Sequence, residues 1–234
     1  MIAGVPLVIL ISAVVIVLIM LAAVMGLFQL SLGDYTDRED WDEVIFYALL
    51  AVVALIILSF VNLGIPGGSI AISLNFTGVI VPAGIVIFLL ATRRLKVHRA
   101  LVSMGIVALV AYPLTQVNDG GAFIQFPFWL IPAGVAAACG LLFTKNMDGE
   151  RAMIRGGAIA YAAGCLGMLM GGDLLHLPEL LNAGGSSLVL GARGILDFVF
   201  LTGVVAIFIV WTVQAGKPLI RRYLFAREKS DTTS

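Results

Sequence analysis

The stretch "GGDLLHLPELLNAGGSSLVLGARGILDF", Gly171 to Phe198, holds Asp173, His176, Glu179, Arg193 and Asp197 between two long apolar runs. Three chemistries could use such a set. Two carboxyls sharing one proton make an aspartyl hydrolase. Carboxylates with a histidine can hold a metal ion. A carboxylate with an arginine near the bilayer can form an ion or solute site. The metal reading is weak, because Pro178 and the loop after it break any fixed ligand spacing. No metal and no cofactor is therefore assigned. The hydrolase reading lacks its neighbours: Met170-Gly171-Gly172 precedes Asp173, so the first glycine of a G-x-G-D element is missing, and Tyr-Asp and Pro-Ala-Leu do not occur.

The two aspartates differ in setting. Asp173 lies near the C-terminal end of an apolar helix, where the helix dipole disfavours a negative charge. His176, three residues on, shares its face while the helix lasts. Pro178 is expected to end that helix. Asp197 falls in the first turn of the last helix, where a carboxylate is favoured, and Arg193 is four residues before it. Asp173, Arg193 and Asp197 are expected to form one cluster, with Asp173 as the switchable group and Asp197 holding Arg193. Asn62, Asn75, Asn118 and Asp119 are further polar candidates at the same end.

The elements that must position these residues are membrane helices. Of the 234 residues 61% are hydrophobic and 12% charged, against ~25% charged in soluble domains. Mean hydropathy is +1.09. Seven spans are read at 5–30, 44–62, 76–92, 100–117, 126–143, 157–175 and 195–214, within one membrane domain covering 1–234. The first run is too long for a signal-peptide core of ~7–15 residues. An acidic loop, 31–43, and a basic tail, 217–234, complete the chain. The fold class expected is all-α, a polytopic transmembrane bundle with extended Gly-rich segments at its extracytoplasmic end.

Those segments come from period-two patterns. In "GGSIAISLN", Ile70, Ile72 and Leu74 alternate with Ser69, Ala71 and Ser73, which marks a strand rather than a helix. The third helix is therefore expected to start near Phe76, with 68–74 extended. Ser187, Val189 and Gly191 alternate with Leu188 and Leu190 in the same way, and 184–191 is expected to lie beside 68–74. Small residues recur every four positions in the sixth span, at Gly156, Ala160 and Gly164 and at Ala163, Gly167 and Gly171. This spacing lets helix backbones approach, so that span should be central. Self-association into a homo-oligomer through the same faces is the alternative. "VNLG" at 61–64 and "VNDG" at 117–120, with "VPAG" at 81–84 and "IPAG" at 131–134, hint at a parallel repeat.

Charge sets the orientation. With seven spans, thirteen of the fourteen Lys and Arg fall on one side and Arg193 alone on the other. The basic side is cytoplasmic by the positive-inside rule, giving N-out and C-in in the cell membrane. Making 62–75 re-entrant reverses the first span and scores twelve to two. His98 in the basic loop is expected at the headgroups. Basic clusters interleaved with aromatics do not occur, so nucleic acid is excluded as a partner. The expected partners are the lipid bilayer and a small molecule, ion or lipid. Cys139 and Cys165 sit in apolar runs and read as buried free thiols.

The motifs "GGDLLHLPEL", "GARGILDFVFLTG" and "SLNFTGVIVP" resemble an archaeal and bacterial family of polytopic membrane proteins, domain of unknown function sixteen-fourteen. The resemblance spans roughly 44–210 and is strongest over 171–205. Asp173, Leu174, Leu175 and Leu177 match its G-x-D-L-L-x-L element. Asp197, Phe200, Leu201, Thr202 and Gly203 match its D-G-I-F-L-T-G element, with Phe198 and Val199 in place of Gly-Ile. The family implies no activity. On the residues alone a transporter or permease-like protein is the leading reading, a membrane scaffold the second and an intramembrane aspartyl hydrolase the third.

Overall fold

A computed structural model describes residues 41–65, 71–118, 121–125, 127–147, 149–182, 187–191 and 198–231. The first apolar run, 5–30, the acidic loop up to residue 40, and Asp119, Arg193 and Asp197 lie outside them. Helix α1 (Trp41–Leu58) leads into a hairpin of β1 (Asn62–Ile65) and β2 (Ala71–Asn75). A π-helical turn (Phe76–Ile80) then opens α2 (Val81–Ala91). Helix α3 (Val97–Leu114) is followed by a second hairpin, β3 (Thr115–Asn118) and β4 (Gly121–Ile124), and by α4 (Leu130–Phe143). Helix α5 (Gly149–Met168) continues as a π-helical turn (Leu169–Leu174). Short α6 (Leu177–Asn182), β5 (Ser187–Leu190) and long α7 (Phe198–Asp231) complete the order.

Helix α5 is central because its surface is nearly all small. Gly156 to Cys165 are buried, and the glycines touch backbone. A Cβ on Gly164 would stand 2.8 Å from Gly203 Cα of α7, and one on Gly167 would stand 2.9 Å from Met104 O of α3. On Gly156 it would meet Gly140 O of α4 at 3.3 Å. The expected close approach of the sixth span is thus observed on three sides, against α3, α4 and α7. Cys139 and Cys165 are buried and unbonded to each other, as read.

The strands gather at one end of this bundle. Strand β2 pairs antiparallel with β1 and parallel with β5, in the register Ile72 to Leu188 and Leu74 to Leu190. Buried Leu180, Leu188 and Leu190 contact Ile72, Leu74, Val117 and Ala122, which joins α6 and both hairpins in one apolar cluster. The alternation read at 71–74 and 187–190 therefore becomes a strand pair. The glycines that flank it, at 67–68 and 184–185, lie outside the described residues.

The two π-turns share a cause. Val81 N–H bonds Phe76 O, one residue wider than an α-turn, just before Pro82. Leu175 N–H bonds Met170 O in the same way, ahead of Pro178. A proline lacks an N–H and crowds the carbonyl four residues back, and a π-turn opens the ladder there.

Several boundaries differ from the sequence reading. The span read at 44–62 ends at Leu58, and the one read at 100–117 gives way to strand after Leu114. Helix α4 starts at Leu130, not 126, while α5 starts eight residues before 157. Pro178 does not simply end a helix: it sits in the first turn of α6, where no N–H is needed. The tail from 217 is helical to Asp231. Among the described residues three helices are long and apolar enough to cross a membrane: Val97–Leu114, Gly149–Asn182 and Phe198–Lys217. Leu49–Leu58, Phe76–Ala91 and Leu130–Phe143 are shorter apolar helices. Strand cuts the first of these at its end and precedes the other two, which is why seven equal runs do not emerge.

Candidate functional site at the strand end

Asp173 lies in the second π-turn and is partly buried. Its Oδ2 accepts the backbone N–H of Gly191 at 2.8 Å. Gly191 has φ +85°, a left-handed conformation. A Cβ there would run into Val79 Cγ2 and approach Gly78 C at 3.0 Å. Only glycine combines that torsion with that fit. One carboxylate thus fastens the end of β5 to the end of α5, with Gly191 seated on the first π-turn.

His176 is buried. Its Nδ1 lies 3.1 Å from both Gly171 O and Gly172 O. Carbonyl oxygens only accept, so Nδ1 carries the hydrogen. The ring stacks on Tyr112 of α3, centroids 4.5 Å apart. His176 therefore closes the carbonyl end of its own helix and ties it to α3. Glu179 is exposed on α6.

Asn75 is the most heavily bonded of the candidates. Its Oδ1 accepts Thr77 N at 3.1 Å, Gly78 N at 3.0 Å and Thr77 Oγ1 at 2.8 Å. Its Nδ2 donates to Ser59 O at 2.8 Å and Asn62 Oδ1 at 3.0 Å. Both amide hydrogens are committed, leaving no donor for a ligand. Asn75 caps the first π-turn and pins it to the end of α1. An Asn with Thr two residues on, before an apolar run, is an N-cap signal that the sequence reading took only for a polar contact. Asn118 is exposed at the tip of β3.

The structure thus brings Asp173 and His176 to one end, with Asn75 in the strand layer beside them. The Asp173–Arg193–Asp197 cluster falls outside the described residues, as does Asp119. The partner that sequence reasoning missed is Gly191 N–H, a backbone group that no residue type announces. Among the described residues no three His, Cys, Asp or Glu gather as a metal-holding set.

A helical bundle with membrane-length helices and a layer of short strands at one end is the class that fold and site define. Within it, the chain belongs to the family described as protein of unknown function (DUF1614), whose model matches residues 52–209. No curated protein and no solved structure matches the chain.

Proposed function

We propose that this is a seven-span, permease-like membrane protein that handles a small cation or proton at the strand end. The observation that carries the reading is the Asp173–Gly191 bond. A carboxylate at the negative end of a helix dipole attracts positive charge. Here the same oxygen also holds β5, so a cation arriving at Asp173 competes with the Gly191 N–H for it. Occupancy and the seat of the strand layer are thereby coupled.

Support for the spans comes from chain direction. Helices α1, α3 and α5 run into the strand layer, while α2, α4 and α7 run out of it, as consecutive crossing segments do. The basic segments 93–99 and 145–155 fall at the opposite end, which favours strands outside and basic loops inside. Asn62 follows Leu58 and Asn118 follows Leu114 by the same four residues. Each helix–hairpin–helix set therefore reads as one copy of a parallel repeat, an arrangement found in transporters.

A scaffold without a pathway is the second reading, favoured by the close backbone-to-backbone packing around α5. The hydrolase reading loses ground because Oδ2 of Asp173 is engaged by a backbone amide.

Purified protein in vesicles, assayed for proton, sodium and potassium flux, tests the choice. Asp173→Asn keeps an oxygen for Gly191 N–H but removes the charge, whereas Asp173→Ala removes both. A permease loses at least tenfold in flux with either change, while the Asn variant keeps the parent melting temperature. If no cation moves faster than in empty vesicles, the permease reading is wrong. In that case a scaffold is left, and only the Ala variant should lose stability, by about 1–3 kcal/mol.

A further inference from the structure

The second π-turn ends α5 with a set of oxygens of the kind that holds metal cations in broken membrane helices. Carbonyls at the C-terminal end of a helix carry the negative end of its dipole, and they coordinate sodium where a transporter helix unwinds. Here Gly171 O and Gly172 O take that place, with the Asp173 carboxylate next in the chain. A metal cation cannot use them as they stand. His176 Nδ1 lies 3.1 Å from both carbonyls and shares its one hydrogen between them. That N–H fills the seat of a cation, and the stack on Tyr112, centroids 4.5 Å apart, holds the ring there.

Other oxygens near this turn are engaged as well. Asp173 Oδ2 accepts the Gly191 N–H, and Asn75 Oδ1 already accepts three hydrogen bonds. The side-chain oxygens left beside the turn, among the described residues, are Asp173 Oδ1 and Thr115 Oγ1, the latter 3.7 Å from a Cβ built on Gly172. A hard metal cation takes about six oxygens, whereas a proton needs one. The elements packed against the turn are α3, α5, β4 and β5. Their ionisable groups on this side are few. Helix α3 brings Tyr112, and α5 brings Cys165 roughly two turns away. Strands β4 and β5 bring none, and the chain beyond the turn brings His176 and the exposed Glu179.

We propose that this site takes the proton and no metal cation, and that His176 is the residue that makes it selective. The proposal rests on the permease reading and names its substrate. The ion is carried on Asp173 as the neutral carboxyl, formed from the carboxylate and one proton. The imidazole N–H stands where sodium or potassium would have to sit, and it keeps the Gly171 and Gly172 carbonyls out of any metal's reach.

Two measurements on the intact purified protein in neutral detergent test this apart from flux. Difference infrared spectra on acidification should show a carboxylic-acid band that D173N lacks. Melting temperatures of the parent should be equal in sodium, potassium and choline chloride at one ionic strength. A cation bound at about a hundred times its Kd would raise them by roughly 5 °C or more. The variant H176F keeps a ring on Tyr112 and removes the N–H. It should gain what the parent lacks, a rise of roughly 5 °C in sodium chloride, and D173N/H176F should lose that gain. If H176F does not fold, H176A takes its place, and if neither folds the two measurements on the parent decide. Sodium- or potassium-dependent melting of the parent that D173N abolishes overturns the proposal, as does absence of the acid band. A folded His176 variant that stays indifferent to sodium overturns the role given to His176. In the vesicle assay the two readings fail differently. Absence of all cation flux sinks the permease and leaves the acid band in place, whereas sodium or potassium flux that D173N abolishes sinks the choice of the proton.

Discussion

The quartet of α3, α4, α5 and α7 and the strand layer at its end bring backbones together in opposite ways. In the quartet, each helix satisfies its own N–H and C=O groups, and side chains shrink to hydrogen or methyl so that main chains can touch, as Gly164 does on Gly203. In the strand layer, main chains meet through hydrogen bonds between segments, and single polar side chains close the gaps, as Asn75 and Asp173 do. The first arrangement is steric and indifferent to charge. The second depends on a few polar side chains and the bonds they make. The boundary between the two arrangements is the second π-turn.

That contrast can be broken by substitution. The largest effect should come from the quartet. Gly164→Ala places a Cβ 2.8 Å from Gly203 Cα, and Gly167→Ala places one 2.9 Å from Met104 O. Neither neighbour is a flexible side-chain tip, so each change should cost about 3 kcal/mol or more and show as a lower melting temperature or lost folded yield. Asn75→Ala should come next. It removes the cap of the first π-turn and the bonds to Ser59 O and Asn62 Oδ1, at a cost of about 2 kcal/mol. Asn75→Asp keeps the cap and loses only the donated bonds, so its melting temperature should fall between parent and Ala. The smallest effect sharpens the comparison. Around Gly105 and Gly134, on the outer faces of α3 and α4, nothing lies within 4 Å of an added Cβ. Alanine there should be neutral or stabilise by up to about 1 kcal/mol through helix propensity. A loss of stability equal to that of Gly164→Ala would mean the glycines serve something other than backbone contact.

Sequence made the quartet easier to read than the strand end, for a physical reason. Steric packing is written in residue size and spacing, so the four-residue recurrence of Gly156, Ala160 and Gly164 pointed straight at it. Six alternating residues likewise sufficed to place β2, and the helix after it starts at Phe76 as the pattern implied. Strand β3 was invisible, because "TQVN" is too short to separate from the helix before it by periodicity. The engagement of Asp173 was missed for a different reason. A charge invites a search for a countercharge, which led to Arg193, while the observed partner is an amide that every residue but proline carries. The helical continuation of α7 was hidden beneath its charges, which read as a solvated tail.

The parallel pairing of Ile72 with Leu188 has a consequence for the order of assembly. These residues are more than a hundred positions apart in the chain. At about 5–20 residues per second of synthesis, β2 emerges several seconds before the strand that completes its sheet. During that interval the β2 edge of the hairpin is unpaired, and the loop to be closed spans α2 through α6. Contacts of such long range form late. The β2–β5 pair is therefore expected to close after the helices between its two strands have packed.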